Sequence, residues 1–345
     1  MRWSLAACLL LLLASCGGAA APAATSAPAA NAKPAASAAA GDVPKMTIPY
    51  NAISVSQTPL YVAVEQGLFK RYGVDVTTEY MANSPQLVAA MTGGQINVTS
   101  AGQDAVVGAD LNGADIVVVA TGVDKLIFSI YGTPKINSIT DLKGKKLGVT
   151  SIGASTDFVG RYVLRQAHLE PEKDVAILQM GGQPQILAGL TSGAIDAGVI
   201  VPPVTTQATK QGMKELANLA DYDLNFYQGP LDANRSWLKA NHEQALNVMK
   251  GYVAGIAATL QDKQAAEEAI SKYTKTTDQR ELDDSYQAVL KALPKVPLPK
   301  PDAIKSSLEQ NSSPKAKTAD PASMVDGSLV DELQKSGFID GLYKK

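Results

Sequence analysis

Small polar side chains cluster where predicted strands give way to predicted helices. Their hydroxyl and amide groups, together with the free backbone N–H groups of a first helical turn, can hold an oxyanion or a neutral polar group. We therefore expect the ligand-binding residues to lie in these loops. The first set of candidates comprises Ser54, Ser56, Gln57, Thr58, Ser84, Gln103 and Asp104. The second set comprises Gly153, Ser155, Thr156, Asp157, Gln183 and Pro202.

Several candidates also have a purely structural interpretation. Ser155 and Thr58 can cap helices, which is the commoner role for any single residue of this kind. Asp104 and Asp157 can complement helix dipoles, and Pro202 can simply turn the chain. Because one sequence defines element boundaries poorly, we expect only about half of the candidates to contact ligand.

The two acids narrow the kind of ligand. Asp104 and Asp157, one in each set, oppose a simple anion such as nitrate and, if they face inward, suit an amine or a ring N–H donor. Arg161 lies more than one turn into its helix, where we expect it to carry surface charge. The sequence therefore favours a small organic solute that carries a hydrogen-bond donor, such as an amino-sulfonate or an aminopyrimidine.

Few residues are available for metal or covalent catalysis. Such chemistry needs clustered His, Cys or paired acids, and the chain has two His and two Cys. His168 ends a predicted helix, where a cation is favoured, and His242 starts one. Phosphate-binding glycine motifs and HExxH are absent from the sequence. We therefore predict no catalytic residue, no metal site and no cofactor.

Three aromatic residues are candidates for an apolar wall beside the ligand: Tyr50, Tyr61 and Phe158. The helical spacing of Tyr61 and Phe158 favours the hydrophobic core for these two residues instead.

The candidate loops belong to two copies of one segment. Residues 84–98 read SPQLVAAMTGGQINV, and residues 183–197 read QPQILAGLTSGAIDA. The offset of 99 positions (184 minus 85) continues upstream without a gap and pairs Ser56 with Ser155. A repeat of this length indicates a duplicated folding unit.

Each copy alternates predicted strands and helices in an order typical of a parallel α/β sheet. LYVAVEQGLFKRY forms one helix that Thr58 caps and Gly73 ends, and TDFVGRYVLRQAH forms a helix that Ser155 caps. Beyond Asn225 the pattern becomes helical to the C-terminus. We predict two lobes that face one another across a cleft. Lobe one comprises residues 45–124 and 225–345, lobe two comprises residues 125–224, and the joints lie near 122–130 and 222–229.

The N-terminus reads MRWSLAACLLLLLASC. Its apolar run is too short to span a bilayer and is typical of a signal peptide, over residues 1–15. Small residues precede Cys16, which would be the only Cys left after cleavage and a site for lipidation. The alternative is an ordinary signal peptide with a chance Cys. Residues 16–44 are rich in Ala and Pro and form a tether.

The whole chain carries a net charge of −2 and 6% aromatic residues, so nucleic acid is not an expected partner. From about Met46 to the C-terminus the sequence resembles the nitrate/sulfonate/taurine-type substrate-binding proteins of ABC importers, a group that includes thiamine-precursor binding proteins. The segments that carry this resemblance are TPLYVAVEQGLFKRYGVDV, DLKGKKLGVTSIGAS, GAIDAGVIVPP, ANRSWLKANHEQALNVMKGY and DELQKSGFID.

The resemblance implies an α/β, two-lobed periplasmic-binding-protein type II fold with a helical C-terminal third and two crossing hinges. It implies a monomer that binds a small molecule, is anchored in the periplasm or at the cell surface, and delivers its ligand to an ABC permease. Two alternatives stay open. One is an enzyme of the same fold in thiamine or menaquinone precursor synthesis, and the other is a solute-sensing lipoprotein.

Overall fold

The computed structural model describes residues 43–82 and 84–344. The predicted signal peptide, Cys16 and nearly all of the tether lie outside these residues. The strands are β1 Lys45–Thr47, β2 Asp75–Thr77, β3 Val98–Thr99, β4 Ile116–Ala120, β5 Ser129–Gly132, β6 Lys146–Val149, β7 Ala176–Gln179, β8 Ala197–Ile200, β9 Lys214–Asn218 and β10 Leu231–Asn234. The helices are α1 Thr58–Glu65, α2 Leu68–Arg71, α3 Ser84–Thr92, α4 Gln103–Leu111, α5 Ser155–Gln166, α6 Gln183–Ser192, α7 Val204–Lys210, α8 Arg235–Ala240, α9 His242–Gln261, α10 Lys263–Thr274, α11 Gln279–Ala292, α12 Pro301–Gln310, α13 Ser328–Lys335 and α14 Phe338–Leu342.

The strands form two larger sheets and one strand pair. We call the sheet β3-β10-β4, the pair β1-β2 and the helices packed on them lobe one. The sheet β7-β6-β8-β5-β9 and its helices are lobe two. The exact chain boundaries of the lobes stay a prediction.

The expectation of parallel sheets is wrong in part. β6 pairs in parallel with β7 and β8, but β5 runs antiparallel to β8 and β9. β10 likewise runs antiparallel to β3 and β4. The reason is the path of the chain: β5 and β10 each follow a segment that crosses between the lobes. Such a strand enters the sheet at the edge where the parallel strands end, so it must run opposite to them.

The helix predicted over residues 60–72 is divided into α1 and α2. Gly67 lies between them with a φ of 62°, a left-handed conformation that glycine adopts at little cost. Gly73, with a φ of 87°, ends the second piece as predicted.

The C-terminal helices complete lobe one. α9 packs closely against α1 at Gly255, where a Cβ would lie 2.3 Å from the carbonyl oxygen of Pro59, and against α2 at Gly251, where a Cβ would lie 2.3 Å from the ring of Phe69. This close packing fixes α1 and so the loop that precedes it. None of the helices within the described ranges combines the length and apolar character that a membrane crossing requires.

The two crossing segments are joined to each other by backbone hydrogen bonds. Val123 N–H donates to the Gln228 carbonyl at 3.0 Å, and Gln228 N–H donates to the Val123 carbonyl at 3.1 Å. Both residues lie in the segments predicted as joints. Gly122 permits this pairing, because a Cβ there would lie 2.1 Å from the Gln228 carbonyl oxygen and 2.2 Å from that of Gly229.

Substitution of Gly122 by Ala should therefore force the crossing segments apart. We expect Gly122→Ala to lower the free energy of unfolding by about 2–4 kcal/mol, measured by urea denaturation. Gly341→Ala is the control, because a Cβ on this helical glycine would meet no atom within 4 Å. Equal stability of the two variants would contradict the tight pairing of the crossings.

Candidate functional site

A small cavity lies where the two lobes and the crossing segments meet. Its volume is about 30 Å³, and its lining side chains are all uncharged. We call it the central cavity. Lobe one and the crossing segments contribute Asn51, Ala52, Ser54, Ser56, Gly102, Phe128, Gln228 and Gly229, and lobe two contributes Thr150, Ala154, Ser155, Thr156, Gln183 and Val201.

Helices α1 and α5 begin beside this cavity, and the N–H groups of Ser155 and Thr156 in the first turn of α5 have no hydrogen-bond partner among the described residues. Thr58 and Ser155 were expected to cap α1 and α5, but each is instead the first helical residue. The capping positions are held by Gln57 and Ala154, whose side chains make no capping hydrogen bond. For Thr58 the reason is a 3-10 turn that runs directly into α1, so that its hydroxyl donates backwards to the Val55 carbonyl at 2.6 Å.

Five of the predicted residues line the central cavity. Thr156 Oγ1 accepts from the Thr150 N–H at 2.9 Å, and Gln183 Oε1 accepts from the Val201 N–H at 3.1 Å. The hydroxyl of Ser155 has no hydrogen-bond partner among the described residues and is available to a ligand. The five residues are Ser54, Ser56, Ser155, Thr156 and Gln183.

Gln103 serves the structure of lobe one instead. It is fully buried, its Nε2 donates to the Ala303 carbonyl and to Ser307 Oγ, both at 2.7 Å, and its Oε1 accepts from the Tyr227 N–H at 3.0 Å. All of its hydrogen-bonding groups are engaged, and they join α4 to α12.

Two further candidates bind protein groups beside the cavity. Gln57 Nε2 donates to Ser100 Oγ at 2.9 Å, and Ser84 Oγ accepts from Asn51 Nδ2 at 2.8 Å. Pro202 lies apart from the central cavity, in the lining of a cavity of about 740 Å³ between lobe two and α11.

The acids lie in a separate cavity of about 570 Å³, between α4 and α12 of lobe one and α5 of lobe two. We call it the outer cavity. Ser307 Oγ donates to Asp104 Oδ1 at 2.7 Å, while the buried Asp104 Oδ2 has no partner among the described residues. Burial, opposed by the Ser307 hydrogen bond and reinforced by the charge of Asp157, raises the pKa of Asp104 to about 7. The two acids therefore face one another across the lobes.

Asp157 is held by groups of its own lobe. Its Oδ2 accepts from the Gly153 N–H at 2.9 Å, and its Oδ1 accepts from Arg161 Nε at 2.6 Å. Arg161 also pairs with Glu172 at 2.8 Å. The expectation that Arg161 only carries surface charge is therefore wrong, because its position one turn beyond Asp157 places it against that carboxylate.

The aromatic residues divide as follows. Tyr61 is fully buried and stacks on Tyr273, with ring centroids 4.0 Å apart, and Phe158 stacks on Phe226 at 5.1 Å. Both belong to hydrophobic cores, as their helical spacing predicted. Tyr50 is also buried, against Tyr61 at 5.2 Å.

Polar contacts on two sides hold the lobes together. On one side Lys210 of α7 pairs with Asp278 and Glu281 at the start of α11, each at 2.9 Å. On the other side Arg165 of α5 donates to Gln310 of α12 at 2.9 Å. The Lys210–Asp278 pair is exposed to solvent, and exposed ion pairs are individually weak, so the few contacts of this kind allow the lobes to separate.

Asn51, which lines the cavity, was not among the predicted residues, because the alternating segment MTIPYNAI that contains it predicts a strand and not a loop. The repeat contains the signal that would have found it: the offset of 99 positions pairs Asn51 with Thr150, and both line the central cavity. The same offset pairs Gly102 with Val201.

Within the described residues no group of three His, Cys, Asp or Glu could hold a metal ion.

Comparison with known proteins gives a family and a fold. A family model described as NMT1/THI5 like matches residues 54–266. A putative binding protein of Brucella abortus (strain 2308) is 30% identical over 164 residues, which are 47% of this chain and 50% of that protein. The chain thus spans about half the length of the curated relatives it matches first.

Two solved structures illustrate the shared fold. The alkanesulfonate-binding protein of Xanthomonas axonopodis pv. citri, bound to MOPS, has a TM-score of 0.65 at 20% identity, and the match covers 85% of this chain and 98% of that protein. The periplasmic nitrate-binding protein of Synechocystis PCC 6803 has a TM-score of 0.72 at 14% identity, and the match covers 86% of this chain and 89% of that protein. The expected α/β periplasmic-binding-protein fold is confirmed, and the matched proteins named here are binding proteins.

The raised pKa of Asp104 leads to a test by pH. The folded-state pKa of about 7 exceeds the ordinary value of 3.8, so the neutral acid contributes stability that is lost as pH rises towards and through 7. Asn stays neutral. We expect the free energy of unfolding of the wild type, relative to Asp104→Asn, to fall by about 2–3 kcal/mol from about pH 5 to pH 8.

Urea denaturation at the two pH values measures this difference. Glu243→Gln, at an exposed position on α9, is the control. It should change the free energy of unfolding by the same amount at pH 5 and at pH 8. A difference between wild type and Asp104→Asn that is the same at both pH values would show that Asp104 ionises normally.

Proposed function

The chain belongs to the NMT1/THI5-like family, and from this premise we propose that it is a solute-binding protein of an ABC importer. It captures a small organic nutrient between its lobes and delivers it to a permease in the membrane. The observation that carries the proposal is the central cavity, to which both lobes and both crossing segments contribute. The binding-protein names of the relatives and of the structures with the same fold support it.

Capture requires the lobes to move. A cavity of about 30 Å³ accommodates little more than one water molecule, so a nutrient-sized solute must enter while the lobes are apart. Rotation about the crossings near Val123 and Gln228 then brings the lobes onto the solute. The solute favours the closed form by the contacts that it makes only when both lobes surround it.

Two classes of solute fit the groups around the cleft. The free N–H groups at the start of α5 and the hydroxyl of Ser155 suit a sulfonate group, as in a taurine-like solute. Asn51 and Gln183 suit the ring nitrogens and amino group of an aminopyrimidine. The acids that the sequence offered as partners for a solute donor, Asp104 and Asp157, line the outer cavity and not the central cavity.

The N-terminal sequence extends the proposal to location. After removal of residues 1–15, a lipidated Cys16 would anchor the protein in the membrane, and residues 16–44 would hold the lobes away from the bilayer. We propose that the protein acts as an anchored monomer in the periplasm or at the cell surface.

A thermal-shift screen tests the proposal. Residues 42–345, which form one compact unit, would be heated with taurine, alkanesulfonates, nitrate, aminopyrimidines, riboflavin and aromatic carboxylates. A true ligand at 100 times its Kd adds about 2.7 kcal/mol and should raise the unfolding midpoint by several degrees. X-ray scattering should then show a more compact protein with that ligand, and an unchanged profile would argue against closure. Recovery of a chemically altered ligand would favour an enzyme.

Gly102 provides a test of closure by mutation. A Cβ there would lie 3.0 Å from Asn51 Nδ2 in lobe one and 3.0 Å from Ser155 Oγ in lobe two. We expect Gly102→Ala to raise the Kd of the identified ligand at least about tenfold, which corresponds to about 1.4 kcal/mol, measured by titration calorimetry.

Gly94→Ala is the matched control for backbone strain. Gly94 also has a positive φ, of 71° compared with 89° for Gly102, but a Cβ there would meet no atom within 4 Å. If both variants lose the same affinity, strain and not crowding between the lobes is the cause.

A further inference from the structure

The amide of Asn51 has a fixed orientation. Its Nδ2 donates to Ser84 Oγ at 2.8 Å and to the Ala101 carbonyl at 2.9 Å. A carbonyl oxygen can only accept a hydrogen bond, so the atom that faces Ala101 must be the nitrogen. Both hydrogens of the amide are thereby occupied, and Oδ1 has no partner among the described residues.

The carbonyl of Ala101 is itself held in place from the core. The N–H of Ala101 donates to Oδ2 of Asp232 at 3.0 Å. Asp232 is fully buried in β10, and burial, opposed by the hydrogen bond from the Ala101 N–H, raises its pKa well above the ordinary range. The peptide groups on both sides of Ala101 are thus fixed by side chains from two different elements, Asn51 and Asp232. Gly102 then leaves room for the amide beside it.

We propose that Asn51 is a specificity-determining residue, which presents only a carbonyl oxygen to the central cavity and so selects a solute group that donates a hydrogen bond. This inference rests on the proposed function and narrows it. Ser84 and Asp232 are positioning residues, because they act through the orientation of the Asn51 amide.

The chemistry of Asn51 excludes an anionic group at this position. A sulfonate or carboxylate oxygen against Oδ1 would be repelled, because both atoms only accept hydrogen bonds, and no cationic side chain lines the central cavity to neutralise its charge. On the lobe-two side, Gln183 is fixed in the opposite sense, because its Oε1 accepts from the Val201 N–H at 3.1 Å and its Nε2 donates to the Val199 carbonyl at 3.5 Å. The second hydrogen of Nε2 is then the group that remains for a solute. A neutral solute edge with adjacent donor and acceptor atoms, such as an amino-substituted nitrogen heterocycle, matches an acceptor on one lobe and a donor on the other.

Titration calorimetry with matched probes tests the selectivity. The probes are 4-amino-2-methylpyrimidine against 2,4-dimethylpyrimidine, and taurine against ethanesulfonate. We expect the wild type to bind the amino member of at least one pair tenfold or more tightly than its partner. In Asn51→Leu the ratio should fall to within about twofold, whereas Gln264→Ala, which removes an exposed amide on α10, should keep the wild-type ratio.

The orientation of the amide is tested independently of any ligand. In the ligand-free protein, the two Nδ2 hydrogens of Asn51 should exchange with water at least tenfold more slowly by NMR than those of Gln264. Ser84→Ala should accelerate their exchange, and so should Asp232→Leu. Asp232→Asn, which keeps an oxygen to accept from Ala101, should restore the protection.

The outcomes separate the two claims. Binding without preference for the amino member, or rapid exchange of the Asn51 amide, overturns the role of Asn51 while the proposed function stands. Failure of all four probes to bind contradicts the solute classes of the proposed function, and with them the selectivity inferred here. Preference for the amino member that survives in Asn51→Leu would assign the recognition to another residue.

Discussion

The position of the two lobes depends on one pair of backbone hydrogen bonds, between Val123 and Gln228. This pairing holds the two crossing segments side by side, and β5 and β10 continue from them into the two sheets. Gln228 and Gly229 also line the central cavity. The connection between the lobes therefore lies beside the site, so a rotation there changes the cavity directly.

Charged and uncharged side chains occupy different places around the central cavity. The central cavity is lined by neutral hydroxyl, amide and apolar groups, with free N–H groups at the start of α5. Charged side chains lie farther out, where Asp157 is compensated by Arg161 and burial raises the pKa of Asp104 to about 7. Uncompensated charge inside so small a space would be costly. A polar group of the solute is therefore recognised by oriented dipoles and not by charged side chains. The Asn51 amide is one of these dipoles.

The sequence predicted the site to the extent that the site depends on local structure. The repeat located the starts of α5 and α6, and Ser155 and Gln183 line the cavity as a result. It could not show how side chains are used by residues far along the chain. The Gln103 side chain donates to the carbonyl of Ala303, which lies 200 positions away along the chain. Such a long-range contact leaves no local pattern in the sequence. Asn51 was missed because its segment alternates like a strand, and its orientation depends on contacts with Ala101 and, through it, with Asp232 in β10, which leave no local pattern either.

The fold shows the same division. Helix α5 lies where the sequence predicted a helix, although Ser155 is its first residue and not its cap, whereas the direction of β5 and β10 was not predicted. These strands are defined by the path of the crossings, which is a property of the whole chain. The division of one predicted helix into α1 and α2 is a local feature, caused by a left-handed conformation at Gly67. The apolar pattern of the segment does not indicate this conformation.

A crystal structure of the protein with the solute that stabilises it most would test the central claim directly. We expect the solute to lie between the lobes, with one of its donor atoms within about 3.2 Å of Asn51 Oδ1. We also expect it to contact Ser155 or Gln183 of lobe two. Solute bound to one lobe alone, or held only in the outer cavity between Asp104 and Asp157, would contradict it.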